Sequence, residues 1–207
     1  MDKKEIKDLL KKRNLLVDLY EKFDTDCSSK NISEITADIY KNSRDNIGHS
    51  ICSIDKQLSE YCYESAVGRW LLKIKGIGPD IAAGLLAYFD ITGKQYAAQF
   101  IKYAGADNCS CPHNNNVRDL IEQIKIKFKS AQGLYGKLRE EKFFELIQQE
   151  ENISLTTAHI RADRHMMKIF LSHLFEEMYR EEHDGKLPDR YNDSDRIILE
   201  PEVPYTK

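Results

Sequence analysis

Proline and tryptophan are scarce in this chain, with five and one in 207 residues, and there are only ten glycines. So few chain breakers exclude collagen-like and low-complexity architectures and leave room for long helices. No apolar run approaches the length needed to cross a bilayer, so no membrane partner is expected. The opening MDKKEIKDLLKKRNLL lacks the apolar stretch and small-residue cleavage site of a secretory signal, and the expected location is the cytoplasm. Five cysteines, an odd number in such a compartment, argue against a disulfide framework. An excess of positive charge is missing too: 31 Lys and Arg face 34 Asp and Glu, a net charge of −3, with a pI near 6.1. Global electrostatics therefore do not draw this chain to nucleic acid, and any such contact has to come from local basic faces.

Strand signals are nearly absent, with Ile197-Ile198-Leu199 the one short exception. Helical periodicity is present throughout. Ile6, Leu9, Leu10, Leu16, Val17, Leu19 and Tyr20 predict a first helix from Asp2 to about Phe23, stopped by Asp24-Thr25-Asp26 and Ser28-Ser29. From Asn31 or Ser33 to about Lys73, the spacing of Ile35, Ile39, Ile47, Ile51, Ile54, Leu58, Tyr61 and Leu72 describes one long helix or two collinear ones. Gly48 and Gly68 are the candidate kinks, and this region should pair antiparallel with the first helix. Tyr96, Phe100, Ile101 and Tyr103 mark a helix ending at Gly105, and Ala106 to Asn116 reads as loop. Val117, Ile121, Ile124 and Phe128 form an amphipathic stripe, and a further helix runs from about Lys137 to Gln149. Ser154 or Thr156 caps the last, whose stripe is Ile160, Met167, Leu171, Leu174 and Met178. The expected fold is all-α: a helical bundle with an N-terminal antiparallel helical pair over 1–70, a helix-hairpin-helix domain over 71–190 and an extended tail over 191–207.

The most informative stretch is LLKIKGIGPDIAAGLLAYF, Leu71 to Phe89, an apolar helix end, a Gly76-Ile77-Gly78 hairpin and a second helix. Both glycines are expected to supply unusual backbone angles and close approach to a ligand, and Pro79 suits a first helical position. Amides of the hairpin and of the new helix then point outward together, where the helix dipole favours a phosphate oxygen. Lys73 and Lys75 flank the turn, while Asp80 places a carboxylate beside it, able to cap the helix yet repel an anion. The alternative is a helical corner that merely packs.

Three basic clusters accompany the hairpin. Lys3, Lys4, Lys7, Lys11, Lys12 and Arg13 crowd the first helix, where a solvated face is the bland reading, and Lys125, Lys127, Lys129, Lys137, Arg139 and Lys142 dominate the middle. Arg161, Arg164, His165 and Lys168 share one face of the last helix and could neutralise two or three phosphates, unless they simply face solvent with Asp163 and Glu176 as partners. The nucleic-acid-binding set is accordingly Lys73, Lys75, Gly76, Ile77, Gly78, Arg161, Arg164, His165 and Lys168. Cys109, Cys111 and His113 raise the question of zinc, but the spacing is tight and the fourth ligand would have to come from Cys52, Cys62 or His49, so reduced thiols in a loop are expected and no cofactor. His159 and His173 read as surface or packing histidines, and Trp70 as a core anchor beneath the hairpin.

The order of GIGPDIAAGLLAYFDI, KYAGAD, YGKLREEK and HIRADRHMMKIFLSHLFEEMYREEHDGKLP resembles the C-terminal domain of bacterial insertion-sequence transposases, the transposase family 20 domain, over roughly the last two thirds of the chain. In the full enzymes a RuvC-like nuclease domain precedes this region and a serine nucleophile lies in the loop after the hairpin. Only two helices' worth of chain precedes the hairpin here, too little and too helical for the metal-binding α/β domain. Ser110 stands in the corresponding loop, but Cys111 follows it in place of glycine and Asn114-Asn115-Asn116 replaces a basic stretch. Glycosylase chemistry is also not expected, because Asp80 and Ala97-Ala98 occupy the places where that class carries its lysine and aspartate. The resemblance implies a non-catalytic phage or mobile-element protein that grips DNA backbone with little sequence specificity. The first alternative is a phage-encoded, anti-CRISPR-type inhibitor that binds a host defence protein; another is a partial serine-dependent transposase needing a nuclease subunit in trans. The N-terminal helices resemble the linker that mediates dimers in the family, which implies a homodimer.

Overall fold

The computed structural model describes residues 1–27, 33–107 and 114–188. Within them are eight helices and no strand: α1 (Lys3–Cys27), α2 (Glu34–Tyr63), α3 (Ala66–Lys73), α4 (Pro79–Tyr88), α5 (Ala97–Tyr103), α6 (Asn115–Ser130), α7 (Leu134–Gln149) and α8 (Leu155–Glu182). The protein is all-α, as its periodicity predicts.

α4 occupies the centre because it is apolar all round. Every residue from Ile81 to Ala87 is buried, and α1, α2, α3 and α6 pack around it. The second half of α8 forms the other half of the core, buried continuously from Met166 to Met178 except for the half-covered Lys168, beneath α3, α5 and α7. Two aromatic chains join the layers. Tyr103, Phe89, Phe100, Phe175 and Tyr179 touch in sequence, and Phe128, Tyr135 and Phe170 form a second group with centroids 4.8 to 5.2 Å apart. Trp70 is buried in this core, and the stripe Val117, Ile121, Ile124 and Phe128 is buried in full. On α8 the stripe holds from Met167 onward, but Ile160 is 46% exposed, because the helix there runs beyond the core.

α1 and α2 are antiparallel: Arg13 meets Asp55, Tyr20 lies over Gly48 and Asp24 pairs with Arg44. Ser33 starts α2 by accepting the Thr36 amide, as Ser154 starts α8 by accepting that of Thr157. The expected long helix is interrupted, though at neither predicted glycine. α2 runs straight through Gly48, and the break falls at Glu64-Ser65, where Ser65 Oγ accepts the Gly68 amide at 2.8 Å. Gly68 lies inside α3, and a Cβ there would stand 2.0 Å from the Cys62 carbonyl oxygen. The glycine permits α3 to fold back tightly against the end of α2.

α3 crosses position 70, and a single apolar cluster joins Ile6, Leu10 and Leu58 to α4, α6 and α8. Ile197-Ile198-Leu199 and the expected tail over 191–207 lie outside the described residues.

Candidate nucleic-acid interface

The hairpin forms between α3 and α4 as the sequence predicts. Ile74 leaves the helix in an extended conformation with its amide on the Leu71 carbonyl, and the Ile77 amide closes the turn on the Ile74 carbonyl at 3.1 Å. Gly76 has φ +93°, a region that disfavours any residue with a Cβ. It also presses against the end of α6, since a Cβ would lie 3.1 Å from both the Lys127 carbonyl oxygen and Ala131 Cβ. Its close approach is thus to the protein itself rather than to a ligand. Gly78, by contrast, has φ −93° and ψ 175°, extended backbone open to every residue. The expectation that both glycines supply special angles holds for Gly76 only.

Gly78 is the N-cap of α4 and Pro79 its first residue. Among the described residues, the amides of Gly78, Asp80 and Ile81 find no acceptor, because α4 begins its ladder with the Ala82 amide on the Gly78 carbonyl. Ile77 is buried, and its role is to anchor the turn. Lys73 and Lys75 are both exposed, and neither joins a salt bridge among the described residues. Lys127 projects from the last turn of α6, whose carbonyl abuts Gly76.

Among the described residues, the Asp80 carboxylate takes its partner from α1 rather than from the amides of its own helix end. It is held by Arg13, whose Nη1 lies 3.1 Å from Oδ2, while Arg13 Nε and Nη2 donate to Asp55 of α2. One guanidinium therefore offsets the charge beside the hairpin and joins α1, α2 and α4. Burial opposes the Arg13 charge, but the Asp55 bond and the Asp80 charge outweigh it and raise its pKa above the ordinary arginine value. Sequence reasoning placed Arg13 in a solvated cluster. Its signal is the spacing Ile6, Leu10, Arg13, Val17, which puts it on the inward face of α1.

The four α8 positions divide. Arg161 pairs with Glu150 at 2.6 Å, Arg164 is exposed, and Lys168 is half-buried. His165 faces α7, and burial first, then Lys142, push its pKa below the ordinary 6.5. Its surroundings disfavour the charged ring, so it is a weak contributor to a cationic face. The expected acidic partners lie elsewhere: Asp163 pairs with Lys129 of α6 at 2.6 Å and Arg139 of α7 at 2.9 Å, and Glu176 with Arg180 at 3.5 Å.

Both histidines set aside as packing residues do pack. His173 is buried, with Nδ1 2.9 Å from the Tyr135 hydroxyl, and His159 stacks on Phe143 with centroids 4.2 Å apart. Ser110, Cys109, Cys111 and His113 lie outside the described residues. Among the described residues no group of metal-ligating side chains assembles. Cys62, one of the proposed fourth zinc ligands, is buried with Sγ 3.9 Å from the Pro79 carbonyl, and burial, then Asp80, push its thiol up to about 12. No described helix is long and apolar enough to cross a membrane.

Comparisons of this chain with protein-family models, curated proteins and solved structures gave no match in any of the three.

Proposed function

We propose that this chain is a non-catalytic nucleic-acid-binding protein of a phage or mobile element, built on the transposase-like scaffold it resembles. The observation that carries this reading is the hairpin: three acceptor-free amides at the start of α4, a neighbouring carboxylate already held by Arg13, and the exposed Lys73 and Lys75 flanking the turn. A phosphate oxygen seated there receives amide hydrogen bonds, the positive end of the α4 dipole and at least one ammonium. Contacts of this kind position a backbone without reading bases, so binding is salt-sensitive and tolerant of sequence.

The test is fluorescence anisotropy of labelled duplex, single-stranded and branched DNA at low and moderate salt, with Lys73→Glu and Lys75→Glu variants. Both lysines are on the surface of the turn, so the variants keep wild-type helicity. We expect the double variant to bind duplex about tenfold or more weakly, in line with losing two phosphate contacts. Unchanged affinity would remove the hairpin from the binding site.

A specific observation also favours protein contact through the arm formed by α1 and α2. No described side chain is fully buried over 11–26 or 33–57, and Leu15, Leu19, Ile35 and Ile39 are 45 to 75% exposed. We read this arm as the contact for a second copy of the chain, two arms pairing into a four-helix bundle. Light scattering coupled to size-exclusion chromatography checks this: a dimer that Leu15→Lys together with Ile39→Lys converts to monomer is the expected result. A monomer at all concentrations would leave the arm for a different protein, the host defence protein of the inhibitor reading.

A further inference from the structure

α7 and the first half of α8 carry a group of flat side chains that the core does not use. The His159 ring lies on Phe143 at 4.2 Å and 7°, nearly parallel. Phe143 meets Phe144 edge-on at 5.6 Å, and the Arg139 guanidinium sits 5.6 Å from the Phe143 centroid. Phe144 is 60% exposed, and His159 is exposed as well.

These rings are fixed in place. Arg139 Nη2 bonds His159 Nδ1 at 2.7 Å and its Nε bonds Asp163 at 2.9 Å, while Lys129 reaches the same carboxylate. A pair of aromatic rings held rigidly at a surface costs little further entropy when something stacks on it. The stretch of chain that carries it also differs in charge from the rest. Residues 115–171 hold ten Lys and Arg against eight Asp and Glu, a net +2 in a protein of net −3.

We propose that the His159, Phe143 and Phe144 surface is a stacking platform for unpaired nucleobases, so that the ligand is single-stranded nucleic acid or a duplex with an unpaired segment. This deepens the nucleic-acid reading and rests on it. The end of α6 links the two sites: Gly76 packs closely on the Lys127 carbonyl and the C-cap Ala131, Lys129 of the same turn reaches Asp163, and Asp163 holds Arg139 against the platform. A strand whose phosphate sits at the hairpin can pass the α6 lysines and lay its bases on the rings. Flat aromatic faces accept any base, and flanking cations meet the backbone, the combination that binds single strands without sequence preference.

The experiment uses the full chain, a labelled oligothymidine of about twenty nucleotides, an abasic strand of equal length and a duplex. We expect the oligothymidine to bind at least fivefold more tightly than the abasic strand, which carries the same phosphates but has no bases to stack. Phe144→Ala and His159→Ala each weaken oligothymidine binding about fivefold or more and leave duplex affinity unchanged. Phe144→Trp retains binding, and its fluorescence is quenched when oligothymidine is added. Equal affinity for the abasic strand, or full oligothymidine affinity in both alanine variants, would overturn the platform, as would absence of single-strand binding. Failure of the hairpin reading looks different: Lys75→Glu would then leave duplex binding intact whatever the platform variants do.

Discussion

Three residues bear stability consequences that the hairpin and core make specific. Gly76→Ala introduces a Cβ at φ +93° and against the Lys127 carbonyl, and we expect a loss of about 1–3 kcal/mol in urea unfolding. Gly78→Ala meets only the Asp80 Oδ1 atom, 2.8 Å away, in ordinary extended backbone. Its cost should be clearly smaller than that at Gly76. Glu177 is buried in α8, with Oε1 on Arg180 and Oε2 without a hydrogen-bond partner among the described residues. Burial, only partly countered by Arg180, pushes its carboxyl up to about 7 from 4.5. The folded protein thus keeps a proton that the unfolded chain releases, and stability falls as pH rises from about 4.5 through 7. The full effect is of order 3 kcal/mol. Urea unfolding at pH 5, 6, 7 and 8 should show this slope in the wild type and a flatter one in Glu177→Gln; identical profiles would mean that Glu177 ionises normally in the fold.

At the scale of elements, the α1/α2 arm is held to the core by an apolar root at Ile6, Leu10, Leu58 and Cys62 and by the Arg13 node just above it. Beyond the node, among the described residues, α1 and α2 cover one another, and their interface residues stay half-exposed. Native-state hydrogen exchange should therefore find the amides of 40–52 opening well before those of α4 and of 166–178. Arg13→Ala leaves Asp55 and Asp80 facing each other without their shared cation. We expect it to cost about 2–3 kcal/mol, somewhat less than a fully buried pair because all three side chains keep some solvent contact. If the hairpin binds phosphate as proposed, the variant should also bind DNA more weakly, because the Asp80 charge is then exposed to the hairpin. Arg13→Lys, which retains the charge without the forked geometry, should recover binding better than stability.

For the molecule as a whole, a chain of net −3 that binds nucleic acid has to do so with a patch. Two to four phosphate contacts predict that the logarithm of affinity falls with the logarithm of salt concentration at a slope of about −2 to −4. A flat salt dependence would point instead to an apolar protein partner on the arm. The same scale shows where sequence reading reached its limit. The all-α class, the hairpin and the apolar stripe of α6 were legible because their periodicity and turn chemistry are local. Arg13, His159 and Phe143 were not, because each acts through a partner more than fifteen residues away: Asp55 and Asp80 for the first, and one another for the second and third.

The sequence by itself determined that this protein is helical, where most helices begin, and that residues 74–79 turn between two of them. Those outcomes follow from side-chain periodicity, capping hydroxyls and one glycine in a left-handed conformation, all within a few residues of where they act. Only the tertiary structure decided that Gly78 is conformationally ordinary, that Asp80 is offset by α1, that burial disfavours charge on His165 and that His159 lies on Phe143. Such facts depend on which helices meet and at what rotation, and a carboxylate's partner or a ring's stacking face exists only once distant segments have packed.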